Sequence, residues 1–249
     1  MALRLPGKKA VIVGGASDMA QAANRIFLEE GADLFLIDFN ETALREFKES
    51  EPEYAGRIHL YPADVTSPEQ IEKAFQTAEE VMGRIDILVN IAGIIRHHPI
   101  TEMSYEDWNA VLRVNLTGYF HTCKNAVPYM KAQRYGRIVN IASIGGRTGR
   151  PGCGCNYSAS KAGVVGLTQA LAKELAPWSI TVNAVAPGPL KGKMFYSMTK
   201  EQQEKLEEGI PLGELGDMDQ IAYAILFLAS DEASYATGEV FDINGGLYI

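Results

Sequence analysis

The sequence predicts an α/β fold: one doubly wound layer structure around a parallel sheet of about seven strands. Three observations carry that expectation. A short β-prone run closes in glycines, leads into an Ala-rich helical pattern and then into a second β-run that ends in an acid. Short apolar runs and helical patterns then alternate to the end of the chain, the signature of parallel strands covered on both faces. The 249 residues, 47% of them hydrophobic, suit one large α/β domain. Residues 1–249 are therefore read as a single domain.

The elements follow in order. Residues 9–13 (Lys-Ala-Val-Ile-Val) form the first strand, followed by Gly14-Gly15-Ala16-Ser17. A helix over 19–30 stops at Gly31, the residue suited to the turn past a helix end. The second strand, 34–37, closes with Asp38. This strand–glycine–helix–strand–acid order is the βαβ unit of a dinucleotide-binding (Rossmann) fold. Its glycines let the backbone approach a pyrophosphate, and the helix start offers N–H groups to it. Strand three is expected at 57–61, and a helix at 69–82 after Ser67-Pro68. Strand four spans 85–90, and a long helical stretch spans 105–131, with Pro128 expected to disturb its end. Strand five at 137–141, a helix at 157–175, strand six at 180–185, a helix at 220–228 and a last strand at 240–243 complete the series.

Composition narrows the function. A formal charge of −8 argues against nucleic acid and against anionic membrane surfaces as partners. The apolar runs are too short to cross a membrane. Residues 1–10 are basic without an apolar core, so no signal peptide is expected. Three cysteines, Cys123, Cys153 and Cys155, cannot all pair within one chain and read as reduced thiols of a cytoplasmic protein. Cys153-x-Cys155 lacks further ligands at suitable spacing, so no metal site is expected and the pair reads as small residues in a pocket wall. His97-His98 reads as a solvated loop rather than a metal pair or proton relay.

The chemistry is expected at Tyr157-Ser158-Ala159-Ser160-Lys161. Four residues apart on a helix, Tyr157 and Lys161 share a face. A free phenol titrates near ~10, too high for proton transfer at neutral pH, and an adjacent ammonium would lower it. Such a tyrosine can give and take the proton of an alcohol or carbonyl.

With these pieces in place, the chain resembles the short-chain dehydrogenase/reductase family, of the classical type, over essentially its full length. The resemblance rests on the glycine turn at Gly14, Asp64-Val65 after strand three and Asn90-Ile91-Ala92-Gly93 after strand four. It rests also on Val114-Asn115-Leu116, Ser143 after strand five, Tyr157-x-x-x-Lys161 and Asn183-Ala184-Val185-Ala186-Pro187-Gly188. It implies Tyr157 as general acid/base, with Lys161 lowering its pKa and binding the nicotinamide ribose. Ser143 would hold the substrate oxygen, and Asn115 would interrupt the helix and hold a water linked to Lys161. The cofactor contacts it implies are Gly14, Ser17, Asp18, Met19, Asp38, Asp64, Val65, Asn90, Ala92, Gly93, Pro187, Gly188 and Leu190, besides Tyr157 and Lys161. Asp38 would repel a 2′-phosphate, so NAD is expected over NADP. The resemblance further implies a homotetramer built from the long helices 105–131 and 157–175 and the last strand. The apolar tail Leu247-Tyr248-Ile249 is suited to burial against a neighbour.

Two departures stand out. Where the family's turn has its second and third glycines, this chain has Asp18 and Ala20. A carboxylate ~5 Å from a phosphate would cost on the order of 1–3 kcal/mol at an effective dielectric of ~20–40. Paired with Gln21, Asp18 could instead cap the helix start, although it would then compete with the phosphate for N–H groups. After Pro187-Gly188, Gly192 stands where the family often has a threonine, leaving backbone groups or Lys191 and Lys193 to reach the nicotinamide.

Residues 189–213 are expected to form a substrate lid. Cations gather on the loops around the site: Arg96, His97, His98, Arg147, Arg150, Lys191 and Lys193. They suggest an anionic small-molecule substrate such as a sugar acid or a hydroxy acid, or a phosphorylated or acyl-carrier-linked ketone, against the plainer reading of solvated loop charges. The segment Gly93-Ile94-Ile95-Arg96 looks like the sugar-acid dehydrogenases of the family. The C-terminal part looks like its 3-oxoacyl-[acyl-carrier-protein] reductases. Trp178 and Ser179 offer no charge for an acidic carrier, and NAD suits oxidation, so a secondary-alcohol or sugar-acid dehydrogenase is the first expectation and the acyl reductase the second. The rival of another class is a non-catalytic cofactor sensor or scaffold, with Asp18 as its support.

Overall fold

The computed structural model describes residues 2–149, 153–196 and 199–249. It holds a seven-stranded parallel sheet in the order β3-β2-β1-β4-β5-β6-β7. The strands are β1 Lys9–Val13, β2 Asp33–Asp38, β3 Ile58–Pro62, β4 Ile87–Asn90, β5 Gly136–Ile141, β6 Ile180–Pro187 and β7 Val240–Ile243. The helices are α1 Asp18–Glu29, α2 Glu41–Ser50, α3 Pro68–Met82, α4 Tyr105–Leu112, α5 Gly118–Gln133, α6 Gly145–Thr148, α7 Cys155–Leu175, α8 Lys193–Tyr196, α9 Lys200–Glu208 and α10 Met218–Ala229. No helix among the described residues is long and apolar enough to cross a membrane.

Alternation along each strand divides the interior in two. Ala10 and Ile12 of β1, with Leu34 and Leu36 of β2, face a core closed by α1, α2 and α10. Val11 and Val13, with Phe35 and Ile37, face the opposite core under α3, α5 and α7. Both faces are covered, so the strands are nearly continuous apolar runs, and the central β4 is fully buried.

The chain winds outward to β3 in one direction from β1 and to β7 in the other from β4. The crevice between the carboxyl ends of β1 and β4 is thus the topological switch point, where open α/β sheets take ligands. Gly14 lies there with φ +82°, and a Cβ on it would stand 2.5 Å from the Ala92 nitrogen. Only glycine permits both that conformation and that approach. The Ile91 and Ala92 N–H groups in turn donate to the Val13 carbonyl, at 2.8 and 2.9 Å.

Several local expectations change. The 105–131 stretch is not one helix: a π-helical segment, Arg113–Thr117, separates α4 from α5. Pro128 sits inside α5, which runs on to Gln133. Helix α2 and the 3-10 turn Pro52–Arg57 have no counterpart in the sequence reading, because polar surface positions conceal the short apolar stripe of Leu44 and Phe47. The cap of α1 is Ser17, whose Oγ accepts from the Ala20 N–H, whereas Gln21 donates to the Ala16 carbonyl. Asp18 is therefore the first residue of the helix and not its cap.

A buried polar ladder ties the middle of the sheet to its helices. Thr122 donates to Asn90 Oδ1 at 2.7 Å, Asn90 Nδ2 to Asn140 Oδ1 at 2.9 Å, and Asn140 Nδ2 to Thr168 Oγ1 at 3.0 Å. All four residues are fully buried. The side chain of Asn90 is committed to this ladder, so its expected contact with a cofactor is not made through the side chain. Asn140→Ala would strand the Asn90 amide and the Thr168 hydroxyl and leave a cavity, destabilising the fold by about 2–4 kcal/mol. Urea denaturation of the two proteins measures that loss.

Candidate active site

The carboxyl ends of β4, β5 and β6 bring together the expected proton-transfer residues. Ser143 follows β5, and Tyr157 and Lys161 lie on the first turns of α7. Lys161 is 3% exposed and donates to the Ile141 carbonyl at 2.6 Å. Its Nζ lies 6.0 Å from the centre of the Tyr157 ring and 5.3 Å from that of Tyr119. The Ser143 Oγ accepts from the Gly145 N–H at 3.1 Å. A Cβ on Gly145 would touch Ser143 Oγ, Tyr157 Cε1 and Cys153 Sγ at 3.3–3.5 Å, so all three line one small space.

Asn115 occupies the π-helical segment, where the extra residue per turn breaks regular helix bonding. Oδ1 accepts from the Ile94 N–H at 2.8 Å, and Nδ2 donates to the Ile94 carbonyl at 3.0 Å and to Ser160 Oγ at 3.2 Å. The interruption expected of Asn115 is present, and its side chain clamps the segment after β4 while Oδ1 keeps a second acceptor site. A Cβ on Gly93 would meet Asn115 Oδ1 at 3.5 Å and Lys161 Nζ at 3.8 Å, which places these three residues around one point.

The electrostatics differ from the expected pattern. Burial pushes the Tyr157 phenol above its ordinary value, and the Ser143 hydroxyl beside it pulls the other way. Burial also lowers Lys161 from 10.5 to about 7. In the ligand-free cavity, desolvation of both groups outweighs any depression of the tyrosine by the lysine.

At the other end of the crevice, the Asp38 carboxylate accepts from the Ala16 N–H and the Asn40 N–H, both at 3.0 Å. It is thereby fixed at the end of β2, facing the glycine turn. Ser17 Oγ donates to the Gly14 carbonyl, and Asp18 and Met19 supply the first N–H groups of α1. The Met19 side chain packs on the core. Asp64 is exposed beyond β3, while Val65 is buried against Gly118. The Ile144 N–H donates to the Pro187 carbonyl and the Gly188 N–H to the Ile243 carbonyl, fixing the end of β6. Leu190 pairs with Gly216 and packs on the core, which turns its side chain from the role expected for it. The cradle at Gly14, the helix start and the oriented carboxylate of Asp38 together fit a dinucleotide.

Among the described residues, most of the expected cations are held in ion pairs. Arg96 pairs with Asp107 at 2.9 Å, and His98 lies 3.6 Å from the same carboxylate. Arg147 pairs with Asp242 at 3.2 Å and stacks on Tyr248. Lys191 pairs with Asp217 at 3.1 Å and so does not reach toward the crevice. Arg150 and the side chain of Lys193 lie outside the described residues. In the tail, Leu247 packs beside Phe195, Ile210 and Leu215 of its own chain, and Ile249 is fully exposed.

Two residues absent from the sequence reading, Tyr119 and Asn156, shape the site together with Cys153, which was expected in a pocket wall. Tyr119, fully buried, donates to the same Ile141 carbonyl as Lys161. Asn156 accepts from the Tyr157 N–H at 2.7 Å and donates to the Arg96 carbonyl at 3.0 Å, joining α7 to the loop after β4. Its place immediately before Tyr157, at a helix start, was the available signal. Cys153 stands beside the phenol and bears on its titration.

Comparison with known proteins bears on this geometry. A family model described as enoyl-(acyl carrier protein) reductase matches residues 14–248. The 3-oxoacyl-[acyl-carrier-protein] reductase FabG of Thermotoga maritima is 43% identical over 247 residues, covering 99% of this chain and 100% of its own. The crystal structure of gox2181 aligns with a TM-score of 0.95 at 32% identity, over 99% of this chain and 97% of its own. A crystal structure of 3-oxoacyl-[acyl-carrier protein] reductase from Brucella melitensis aligns with a TM-score of 0.92 at 33% identity, over 100% and 95% of the two chains.

The lowered Lys161 sets a pH signature. Unfolded, the lysine keeps its proton to near 10.5; folded, only to about 7. Between those values the unfolded state binds more protons, so this group makes stability rise with pH. Above pH 9 the Cys123 thiol, pushed up to about 12 by burial, works in the opposite sense. Stability of the ligand-free protein should therefore climb from pH 7 to 9. Lys161→Met should flatten that climb and stabilise the protein most at pH 7, as thermal melts across the range would read.

Proposed function

Since the chain belongs to the short-chain dehydrogenase/reductase family and is an oxidoreductase of that type, we propose that it interconverts a 3-oxoacyl thioester and the corresponding 3-hydroxyacyl thioester, with NAD(H) as hydride carrier. The observation that carries the substrate class is the full-length likeness to FabG, 43% identical across both chains. This reverses the order expected from sequence, in which a sugar acid came first. The paired state of Arg96, Arg147 and Lys191 removes the main support for an anionic substrate.

The cofactor supplies or accepts the hydride at its nicotinamide ring. Tyr157 gives the proton to the carbonyl oxygen in reduction and takes it back in oxidation. Ser143 holds that oxygen and stabilises the charge that develops on it. Lys161, already anchored on Ile141, binds ribose hydroxyls, and these polar partners offset the burial that lowers its pKa. Asn115 positions the Ile94 segment and, through Ser160, the turn of α7 carrying Lys161. Gly14, the first N–H groups of α1, Asp38, Asp64, Val65, Ala92 and Gly93 line the adenosine and pyrophosphate half. Pro187 and Gly188 lie against the nicotinamide half. The Asp38 carboxylate, held by two N–H groups, accepts from ribose hydroxyls and disfavours a 2′-phosphate, which supports NAD over NADP.

A second reading, oxidation of a hydroxy acid or sugar acid, keeps its place because that NAD preference suits oxidation. Lys131 and Arg134 flank Trp178 at 5.7 and 5.5 Å, a cationic feature that an acidic carrier protein could meet, although Lys131 also pairs with Glu174 at 3.5 Å. That patch lies at the far end of α7, about 27 Å from Tyr157 at 1.5 Å per residue.

We further infer a homotetramer. Phe120 and Tyr105 on the α4–α5 side, and Tyr223, Phe227 and Phe241 on α10 and β7, are large exposed apolar residues suited to burial between copies. Light scattering would then give about four times the 27.2 kDa of one chain. Residues 189–213, with α8 and α9, serve as the lid over the substrate. The absence of any disulfide among the described cysteines supports a cytoplasmic protein.

The test is a panel of acetoacetyl and longer 3-oxoacyl thioesters with NADH, run beside hydroxy acids and sugar acids with NAD. Thioester turnover is expected. Turnover of the acids alone would transfer the assignment to the second reading, and silence across both sets would favour a non-catalytic protein. Tyr157→Phe should lower turnover by at least about 100-fold while leaving cofactor affinity within a few-fold.

A further inference from the structure

His97 stands next to the reacting centre without being part of the proton-transfer set. Its ring lies edge-on to Tyr157, with centroids 5.6 Å apart and planes at 89°. Nδ1 accepts a hydrogen bond from the Gly154 N–H at 2.8 Å. A nitrogen that accepts cannot carry the proton, so the neutral ring must bear it on Nε2. His97 is an exposed residue of its loop, and partial desolvation together with the neighbouring His98 holds the ring's pKa below the usual histidine range.

The loop that carries His97 is tightly fixed. Asn156, fully buried, donates to the Arg96 carbonyl and to the Asp107 carbonyl. A Cβ at Gly154 would stand 2.6 Å from Asn156 Oδ1 and 3.2 Å from both the Arg96 carbonyl oxygen and His97 Cα. Only glycine lets α7 begin against this loop, and that contact orients the imidazole. No group among the described residues accepts from Nε2–H. The site therefore presents one oriented, neutral N–H donor beside the phenol that handles the reacting oxygen.

Building on the reaction proposed above, the geometry points to His97 as a specificity-determining residue whose Nε2–H donates to a second oxygen of the substrate, one or two carbons from the reacting carbon. In a 3-oxoacyl thioester that oxygen is the thioester carbonyl. In a hydroxy acid it is a neighbouring hydroxyl or carboxylate oxygen. A simple ketone has none and gains nothing from His97. A neutral donor also explains how the site selects an oxygenated substrate while its nearby cations are held in ion pairs.

The test compares His97→Asn and His97→Gln with the unchanged protein, using acetoacetyl-N-acetylcysteamine and a plain monoketone. Asparagine keeps a short acceptor for the Gly154 N–H and loses the donor at Nε2. Glutamine carries an amide N–H to about the reach of Nε2. His97→Asn should lower kcat/KM for the thioester about tenfold, mainly through KM, with the monoketone and the cofactor KM unchanged. His97→Gln should restore part of the loss. An equal fall for both substrates, or no change in their ratio, overturns the proposal. A second arm does not depend on turnover: nitrogen NMR of 15N-histidine-labelled protein should find the His97 proton on Nε2, with that resonance moving when the thioester is added. A proton on Nδ1, or an unmoved Nε2, overturns it equally. If the native protein turns over no thioester, the proposed function fails, and this arm, repeated with 3-hydroxybutyrate, still decides the role of His97.

Discussion

The constraint on which the site depends is the close approach of two strand ends. Gly14, leaving β1, passes so near the Ala92 backbone that one added methyl would collide with it. The Val13 carbonyl meanwhile receives the N–H groups of both Ile91 and Ala92. This contact closes the bottom of the crevice at the switch point. On one side it aims the start of α1 and, through the Ala16 N–H, the carboxylate of Asp38. On the other it starts the segment that Asn115 clamps and that ends at His97. The two halves of the site share this one junction.

The proton-transfer centre is built at some cost to the ligand-free fold. Lys161 is carried into a space where burial opposes its charge, and its ammonium donates to the Ile141 carbonyl. Tyr157 is likewise pushed toward its neutral form. Groups that disfavour charge until polar partners arrive are characteristic of sites poised for proton transfer. The ladder of Thr122, Asn90, Asn140 and Thr168 runs beneath this centre and joins β4 and β5 to α5 and α7. Satisfied polar networks of this kind fix a unique packing.

Much of this was legible in the sequence because it depends on local pattern. The bounds of β1 and β7 follow directly from their apolar runs, and Gly31 ends α1 with the expected positive φ. Tyr157 and Lys161 follow from their spacing on one helix face, and Ser143 from the family resemblance, on elements whose ends converge. What could not be read depends on partners distant in sequence. The neutralisation of Arg96, Arg147 and Lys191 comes from Asp107, Asp242 and Asp217, each on a different element. Helix Glu41–Ser50 has too few apolar positions to announce itself. Asn90 matched a cofactor-lining pattern, yet its side chain turns inward to Asn140. Asp18 looked like a cap, but Ser17 one residue earlier already accepts the Ala20 N–H. His97 stood out as a loop histidine, and only the contact with Gly154 gives it a defined tautomer.

The central claim is that this crevice holds a dinucleotide whose adenosine ribose is met by the Asp38 carboxylate, with Asp18 tolerated at the helix start. Titration of the purified protein with NADH and with NADPH, followed by reduced-nicotinamide fluorescence, tests it most directly. Saturable NADH binding and markedly weaker NADPH binding are expected. Equal or stronger NADPH binding would contradict the role given to Asp38. Failure of both to bind would mean that the acid at the start of α1 closes the phosphate site, and the catalytic reading would fall with it.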